Sequence, residues 1–175
     1  QNLEGEVLSG TVLNTNFKQL LTDTQFTDFS IYLHNSPSTF ITSPLKKRES
    51  TIGILVIDIP IHKINEIMHD WADRPRLGST GDSFLIGEDG LLRSGSFMYP
   101  QFTVEKSFSA SKFQVDQSIV QRALNKAGSR LTNDVFLKRN KVLQVFNKFN
   151  FLGTTWIIIS DKDISEIESL KRLKH

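Results

Sequence analysis

Apolar residues change their period along this chain, and each change marks an element. Phe29, Ile31 and Leu33 alternate within Phe26 to Leu33, the two-residue period of a half-buried strand. Thr39 to Leu45 predicts a second strand after the turn-like Asn35-Ser36-Pro37. Lys46-Lys47-Arg48-Glu49 reads as a solvated hairpin turn. Ile52 to Ile59 is apolar almost throughout, which predicts a central strand covered on both faces. Pro60 fits the first turn of a helix, where its missing N–H costs nothing. Ile61, Ile64, Ile67, Met68 and Trp71 then form a helical stripe that Arg74-Pro75 ends. Ahead of these elements, Asn16 suits the cap of a short helix with Phe17, Leu20 and Leu21 on one face.

Gly78 to Ser94 is the most informative stretch. It predicts two strands, Ser83–Ile86 and Leu91–Ser94, joined by Asp89-Gly90, a pair suited to the positive φ of a tight hairpin turn. Residues 97–114, rich in Phe, Ser and Lys, read as a long loop. Asp116 caps a helix carrying Ile119, Val120, Ala123 and Leu124, with Gly128 as its stop. Val135 to Phe149 predicts a strand pair broken near Arg139-Asn140, and Thr155 to Ser160 a last strand. A final helix starts near Asp163, with Glu166 completing a capping box. Its apolar residues Ile164, Ile167, Leu170 and Leu173 drift around the surface, a stripe suited to packing on its own domain or to pairing with a second copy. Shifted by one hundred positions, Ile57, Ile59, Ile64, Glu66 and Ile67 match Ile157, Ile159, Ile164, Glu166 and Ile167. Strand-then-helix therefore recurs, as two related modules would produce.

Composition narrows the function. At 175 residues, 38% apolar and 23% charged, the chain can bury a core as one domain or two small modules. A net charge of +2 argues against nucleic acid, which calls for a clustered basic face. The absence of cysteine removes thiol catalysis, Cys-ligated zinc and disulfides, and suits an oxidising compartment. The sequence holds neither a membrane-spanning run nor a signal peptide, and its start at Gln1 reads as a piece of something longer. The glycines of 78–90 are not followed by the Gly-Lys-Ser/Thr of a phosphate loop. Asp82, Glu88 and Asp89 lack the spacing of an EF-hand, and His62 and His69 share a helix face without a third ligand. No nucleophile with a base and no suitably paired carboxylates stand out, so no catalytic residue, metal or cofactor is expected, and the chain reads as a non-enzyme.

Three segments resemble the Cache family of sensor domains, the extracellular relatives of PAS folds. They are Phe26–Tyr32 leading to Phe40-Ile41-Thr42-Ser43-Pro44, Gly53–Ile61 running into Ile64–Met68, and Gly78–Ser94. Trp156–Ser160 looks like the family's closing strand. The similarity is to double-Cache sensors of chemoreceptors, histidine kinases and membrane-bound cyclases. It implies an α/β (α+β) fold of PAS-like antiparallel sheet modules with flanking helices. Residues 1–77 would be a partial first module, its last three strands plus a linking helix, and residues 78–175 a second module whose final helix leads toward a membrane. It also implies a sensory domain on the periplasmic or extracellular side of the bacterial inner membrane, membrane-anchored in the full-length protein. Such a domain binds a small amine or carboxylate, or relays its signal to a cytoplasmic output domain, with a homodimer through the C-terminal helix. The alternative is a structural or protein-interaction module without a small ligand, docking a partner on residues 97–114.

Candidate ligand residues come from the same resemblance. Asp58 stands where amine-binding members carry an aspartate in Gly-x-x-x-x-Asp-Ile; it either pairs with a ligand ammonium or caps the helix after Pro60. Tyr32 either closes a pocket or packs in the sheet. Arg93 and Tyr99 flank the second-module pocket, where Arg93 either holds a carboxylate bidentately or braces the hairpin.

Overall fold

The computed structural model describes residues 20–31, 36–69, 77–109, 113–137 and 140–172. The chain divides into two compact units, Gln1–Ile59 with Leu152–Thr154, and Pro60–Phe151 with Thr155–His175. The division falls at Ile59/Pro60, so the helix after Pro60 groups with the second unit. The helix expected at Asn16 and Phe17, Tyr32, and the helix end at Trp71 and Arg74-Pro75 lie outside the described residues.

The first unit carries an antiparallel meander, β1 (Gln25–Ile31), β2 (Pro37–Lys47) and β3 (Ser50–Asp58), in that order. β-Branched and aromatic residues dominate, as a pleated, half-buried surface favours. Leu20, Phe26, Phe29 and Phe40 are buried, and the Thr39 hydroxyl donates to the Thr27 carbonyl at 2.6 Å. The basic stretch at 46–49 turns β2 into β3, with Arg48 at φ 54. β3 corrects an expectation. It is an edge strand among the described residues, and Ile52 and Ile57 are 65% and 48% exposed. Continuous apolar sequence there does not mark a central strand.

The second unit holds a four-stranded sheet in the order β4-β7-β6-β5. Its strands are β4 (Asp82–Gly87), β5 (Gly128–Asn133), β6 (Lys141–Phe151) and β7 (Thr154–Asp163). Its helices are α1 (Ile61–Met68), α2 (Val104–Phe108), α3 (Gln117–Asn125) and α4 (Ile164–Arg172). Leu152-Gly153, both at positive φ, turn β6 into β7. Phe84, Ile86, Leu92, Val104, Val120, Ile157 and Ile159 are fully buried and make the core. Each unit contains three consecutive strands in a meander, and a helix follows each meander in sequence.

Several elements depart from the periodicity reading. The second strand of the 83–94 hairpin shrinks to one bridge, Ile86 to Leu92, because Leu85 N–H turns to the Ser94 hydroxyl and Leu92 N–H to the Ser107 hydroxyl, each at 2.9 Å. The Asp89-Gly90 turn itself forms, with Gly90 at φ 77. Residues 97–114 are more than a loop. Thr103 caps α2 through the Lys106 N–H, and the rings of Phe102 and Phe113 lie 4.8 and 5.0 Å from Phe136. Phe84 joins them at 4.7 Å. These aromatics pack on one another. In α1, Ile64 is buried but Ile67 is 77% exposed, so the apolar stripe is only partly used. α3 follows the expectation, with the Asp116 carboxylate accepting from Ser118 N–H and Ile119, Val120 and Ala123 buried. Gly128 opens β5 instead of merely ending a helix, and the strand expected from Val135 lies at Gly128–Asn133.

Candidate functional site

β5 is built from Gly-Ser-Arg-Leu-Thr-Asn, which has none of the apolar alternation of its neighbours. Strand side chains point alternately to opposite faces. Leu131 is 70% exposed, while Arg130 and Thr132 are partly covered. The covered residues face β6, where Arg130 pairs in register with Gln144 and Thr132 with Val142. This face is therefore lined by a cation and a hydroxyl where a core strand would bring leucine or valine.

Gln144 is fully buried between the apolar Val142 and Phe146. Burying an amide is costly unless both its ends are bonded. Its Oε1 accepts from Arg130 Nε at 2.9 Å, and its Nε2 donates to Asp161 Oδ1 at 2.9 Å. Asp161 on β7 stands directly across from Asp82 on β4. One polar row thus crosses the sheet: Arg130, Gln144, Asp161, Asp82. Asp82 is satisfied separately, by the Ser96 hydroxyl and by Phe97 N–H at 3.1 Å. Burial pushes the Asp161 carboxyl up from 3.8 to about 6; Gln144 and Val135 N–H oppose the rise, and Asp82 and Asp134 add to it. Asp161 precedes α4 by three residues.

The Arg130 end of the row opens into a cavity of about 380 Å³ between β5 and the start of α3. Gln114, Asp116, Ser118, Ile119, Arg130 and Thr132 line it, together with Asn133, Asp134 and Val135. Asp134 is buried and already holds Leu137 N–H at 2.6 Å and Asn140 N–H at 3.0 Å. Burial, and next the Arg122 cation, lower the Arg130 pKa; Asp161 and Asp116 act in the other direction. Volumes of this order suit a small molecule.

The residues singled out from sequence are distributed differently. Asp58 lies exposed at the end of β3, opposite Phe40, and the helix after Pro60 has no side-chain cap. Tyr99 is half-buried, its ring 5.5 Å from Phe136. Burial first, then Asp134, Asp82 and Asp161, raise its pKa, so its phenol faces the acidic end of the row. Arg93 is 3% exposed and committed to the hairpin. It donates to both Asp89 oxygens at 3.1 and 3.0 Å and to the Leu91 carbonyl at 3.0 Å, and lies over the Phe108 ring. Bidentate geometry belongs to arginine and is lost with lysine. We therefore expect Arg93→Lys to cost about 1 kcal/mol in urea unfolding while leaving any ligand response intact. A lost response would instead make Arg93 a ligand residue.

Arg130, Gln144 and Asp161 were not singled out from sequence. The available signal was Gln144, a polar residue on the apolar side of an alternating strand.

No family model matches the chain, and no curated protein matches it in sequence. Solved structures do match in fold. The periplasmic sensory domain of the Campylobacter jejuni chemoreceptor Tlp1 superposes with a TM-score of 0.60 at 12% identity, over 93% of this chain and 58% of that one. The extracellular domain of the putative histidine kinase rpHK1S-Z16 gives 0.58 at 13% identity, over 89% and 61%. The ligand-binding domain of the Pseudomonas fluorescens chemoreceptor CtaA, solved with L-leucine, gives 0.52 at 14% identity, over 83% and 55%. The chain spans somewhat more than half the length of these structures. Its α+β fold of antiparallel sheets and flanking helices is that of chemoreceptor and histidine kinase sensor domains.

Proposed function

We propose that this chain is a sensory domain from the outer face of a bacterial inner membrane, part of a transmembrane receptor, binding a small polar ligand in the cavity between α3 and β5. The observation that carries this reading is the polar row: it starts in the cavity at Arg130 and passes through Asp161, three residues before α4. The fold likeness to chemoreceptor and histidine kinase sensor domains supports it, as does the ligand in the CtaA structure. A ligand drawing on Arg130 changes the pull on Gln144 and so on β7. Ligand affinity then shifts the balance between two positions of α4, the helix that leads on toward an output domain. The domain itself performs no chemistry in this account.

Binding to the native state alone must raise the melting temperature. Against a library of amino acids, amines, carboxylates and sugars, at least one compound is expected to raise it by roughly 5–10 °C at about one hundred times its Kd. A flat response across the library would contradict ligand sensing by this domain. A second reading, an interaction module without a small ligand, draws on β3, whose Ile52, Leu55, Val56 and Ile57 are exposed. Serine at Ile52 and Ile57 would then abolish partner capture and leave melting unchanged.

A further inference from the structure

We propose that the open edge of β3 pairs with β3 of a second copy of this chain, antiparallel across a two-fold axis at Ile54. The proposal does not depend on the ligand reading, because β3 lies in the other unit. β2 lies on one side of β3; among the described residues no strand lies on the other. Ile59 N–H donates inward to the Thr39 carbonyl at 3.0 Å. In an antiparallel ladder the alternate residues Ile54, Val56 and Asp58 therefore turn their N–H and C=O outward. Pro44 agrees with this phase: it has no N–H and stands opposite Ile54, where β3 draws no bond from β2. Leu55, Val56 and Ile57 are exposed along the same edge. An apolar edge with free backbone groups is a template for another strand.

The occupant follows from the strand being complementary to itself. With the axis at Ile54, Val56 meets Ile52 of the second copy, Leu55 meets Gly53, and Asp58 meets Ser50. A side chain at Gly53 would meet only Leu45 within 4 Å. Leu55 of the second copy fills that space and covers Leu45, and both leucines are exposed in the single chain. Charge agrees as well. Ser50 pairs with Lys47 on β2, at the end of the exposed run Lys46-Lys47-Arg48. Each exposed Asp58 is thereby brought one strand away from Lys47 of the other copy, and the two basic turns stay at opposite ends of the joint. A strand of unrelated sequence would satisfy the backbone groups but neither the Gly53 space nor the two charge pairs.

The test is sedimentation velocity of the full chain from roughly 1 to 500 µM. A concentration-dependent shift from monomer to dimer is expected. Asp58→Lys sets like charges together and should weaken the dimer about tenfold or more; adding Lys47→Glu should restore it. Within one chain Lys47 and Asp58 stand at opposite ends of the β2–β3 ladder, so rescue reports a contact between copies. The chain has no cysteine, so Ile54→Cys offers a single thiol per copy. Opposed residues of a hydrogen-bonded antiparallel pair lie about 5.5 Å apart at Cα, within reach of a disulfide. Oxidised Ile54→Cys should run as a covalent dimer, and Leu131→Cys, exposed on β5, should not. A monomer at every concentration would overturn the proposal. So would a dimer indifferent to Asp58→Lys and not cross-linked by Ile54→Cys, which would place association elsewhere, as on α4. Slow hydrogen exchange at the amides of Ile54, Val56 and Asp58 in a monomer would assign the edge to a strand of the same chain, and would overturn it too.

Discussion

Replacing Asp161 by asparagine stabilises the protein at pH 8 by about 2 kcal/mol and flattens its stability between pH 4 and 6. Asp161 is 7% exposed and faces charges from every strand around it: Asp82 on β4, Asp134 after β5, and Arg130 beyond Gln144. Two carboxylates directly opposite in an antiparallel pair repel each other. Burial is the larger cause of the rise from 3.8 to about 6. The folded state therefore holds this proton more tightly than the unfolded chain does. Below about pH 4 both states are protonated and the group is neutral in effect. Between pH 4 and 6 the unfolded chain loses the proton first, so stability falls as pH rises, by about 3 kcal/mol in all. Asparagine carries no charge and keeps an acceptor for Gln144. It escapes the penalty, less about 1 kcal/mol for exchanging charge-assisted bonds for neutral ones. Urea unfolding of both proteins from pH 4 to 8 measures the difference. Parallel curves would mean that Asp161 titrates as it does in the unfolded chain.

Glu166→Ala loosens α4 and costs about 2 kcal/mol at neutral pH. The sequence suggested that Glu166 completes a capping box with Asp163. Instead Asp163 caps alone, accepting from Ser165 N–H at 3.1 Å, and Glu166 reaches back to residues 79 and 80. Its carboxylate takes N–H from Ser79 and Thr80 at 3.2 and 2.9 Å, both their hydroxyls, and Lys162 Nζ at 3.2 Å. The side chain is 16% exposed, so solvent screens these bonds in part. The Thr80 hydroxyl leads the interactions that hold its pKa down, to about 2 from 4.5. This contribution is complete above the unfolded value and is lost as pH falls from about 4.5 toward 2, the opposite sense to Asp161. Gly78, at φ 78, leaves room for the carboxylate where a Cβ would collide with it, so Gly78→Ala should produce the same defect. Faster proteolysis within 163–172, with little change in hydrogen exchange at β6, is the expected signature. Unchanged proteolysis would show that α4 does not depend on this seat.

Periodicity made some of this legible. β1, β2, β7, α1 and α3 follow runs of alternating, continuous or helically spaced apolar residues, and Asp116 announced its helix. β5 was not legible, because an edge strand facing a cavity has no reason to be apolar: Arg130 and Thr132 occupy its covered side. β3 misled for the converse reason, apolar on both faces yet exposed at Ile52 and Ile57. The role of Gly78-Ser79-Thr80 depended on Glu166, 86 residues beyond Thr80, a pairing that no local pattern encodes. Arg93 stood between two readings from sequence, ligand holder or brace of the hairpin, and its guanidinium serves Asp89.

The most direct measurement is an amide and methyl NMR titration of the intact chain with the compound that raises its melting temperature most. Saturable shifts are expected at Ser118, Ile119, Thr132 and Asn133, extending along Gln144 and Asp161 to Glu166. Shifts confined to β1–β3, around Asp58, would contradict a ligand site between α3 and β5.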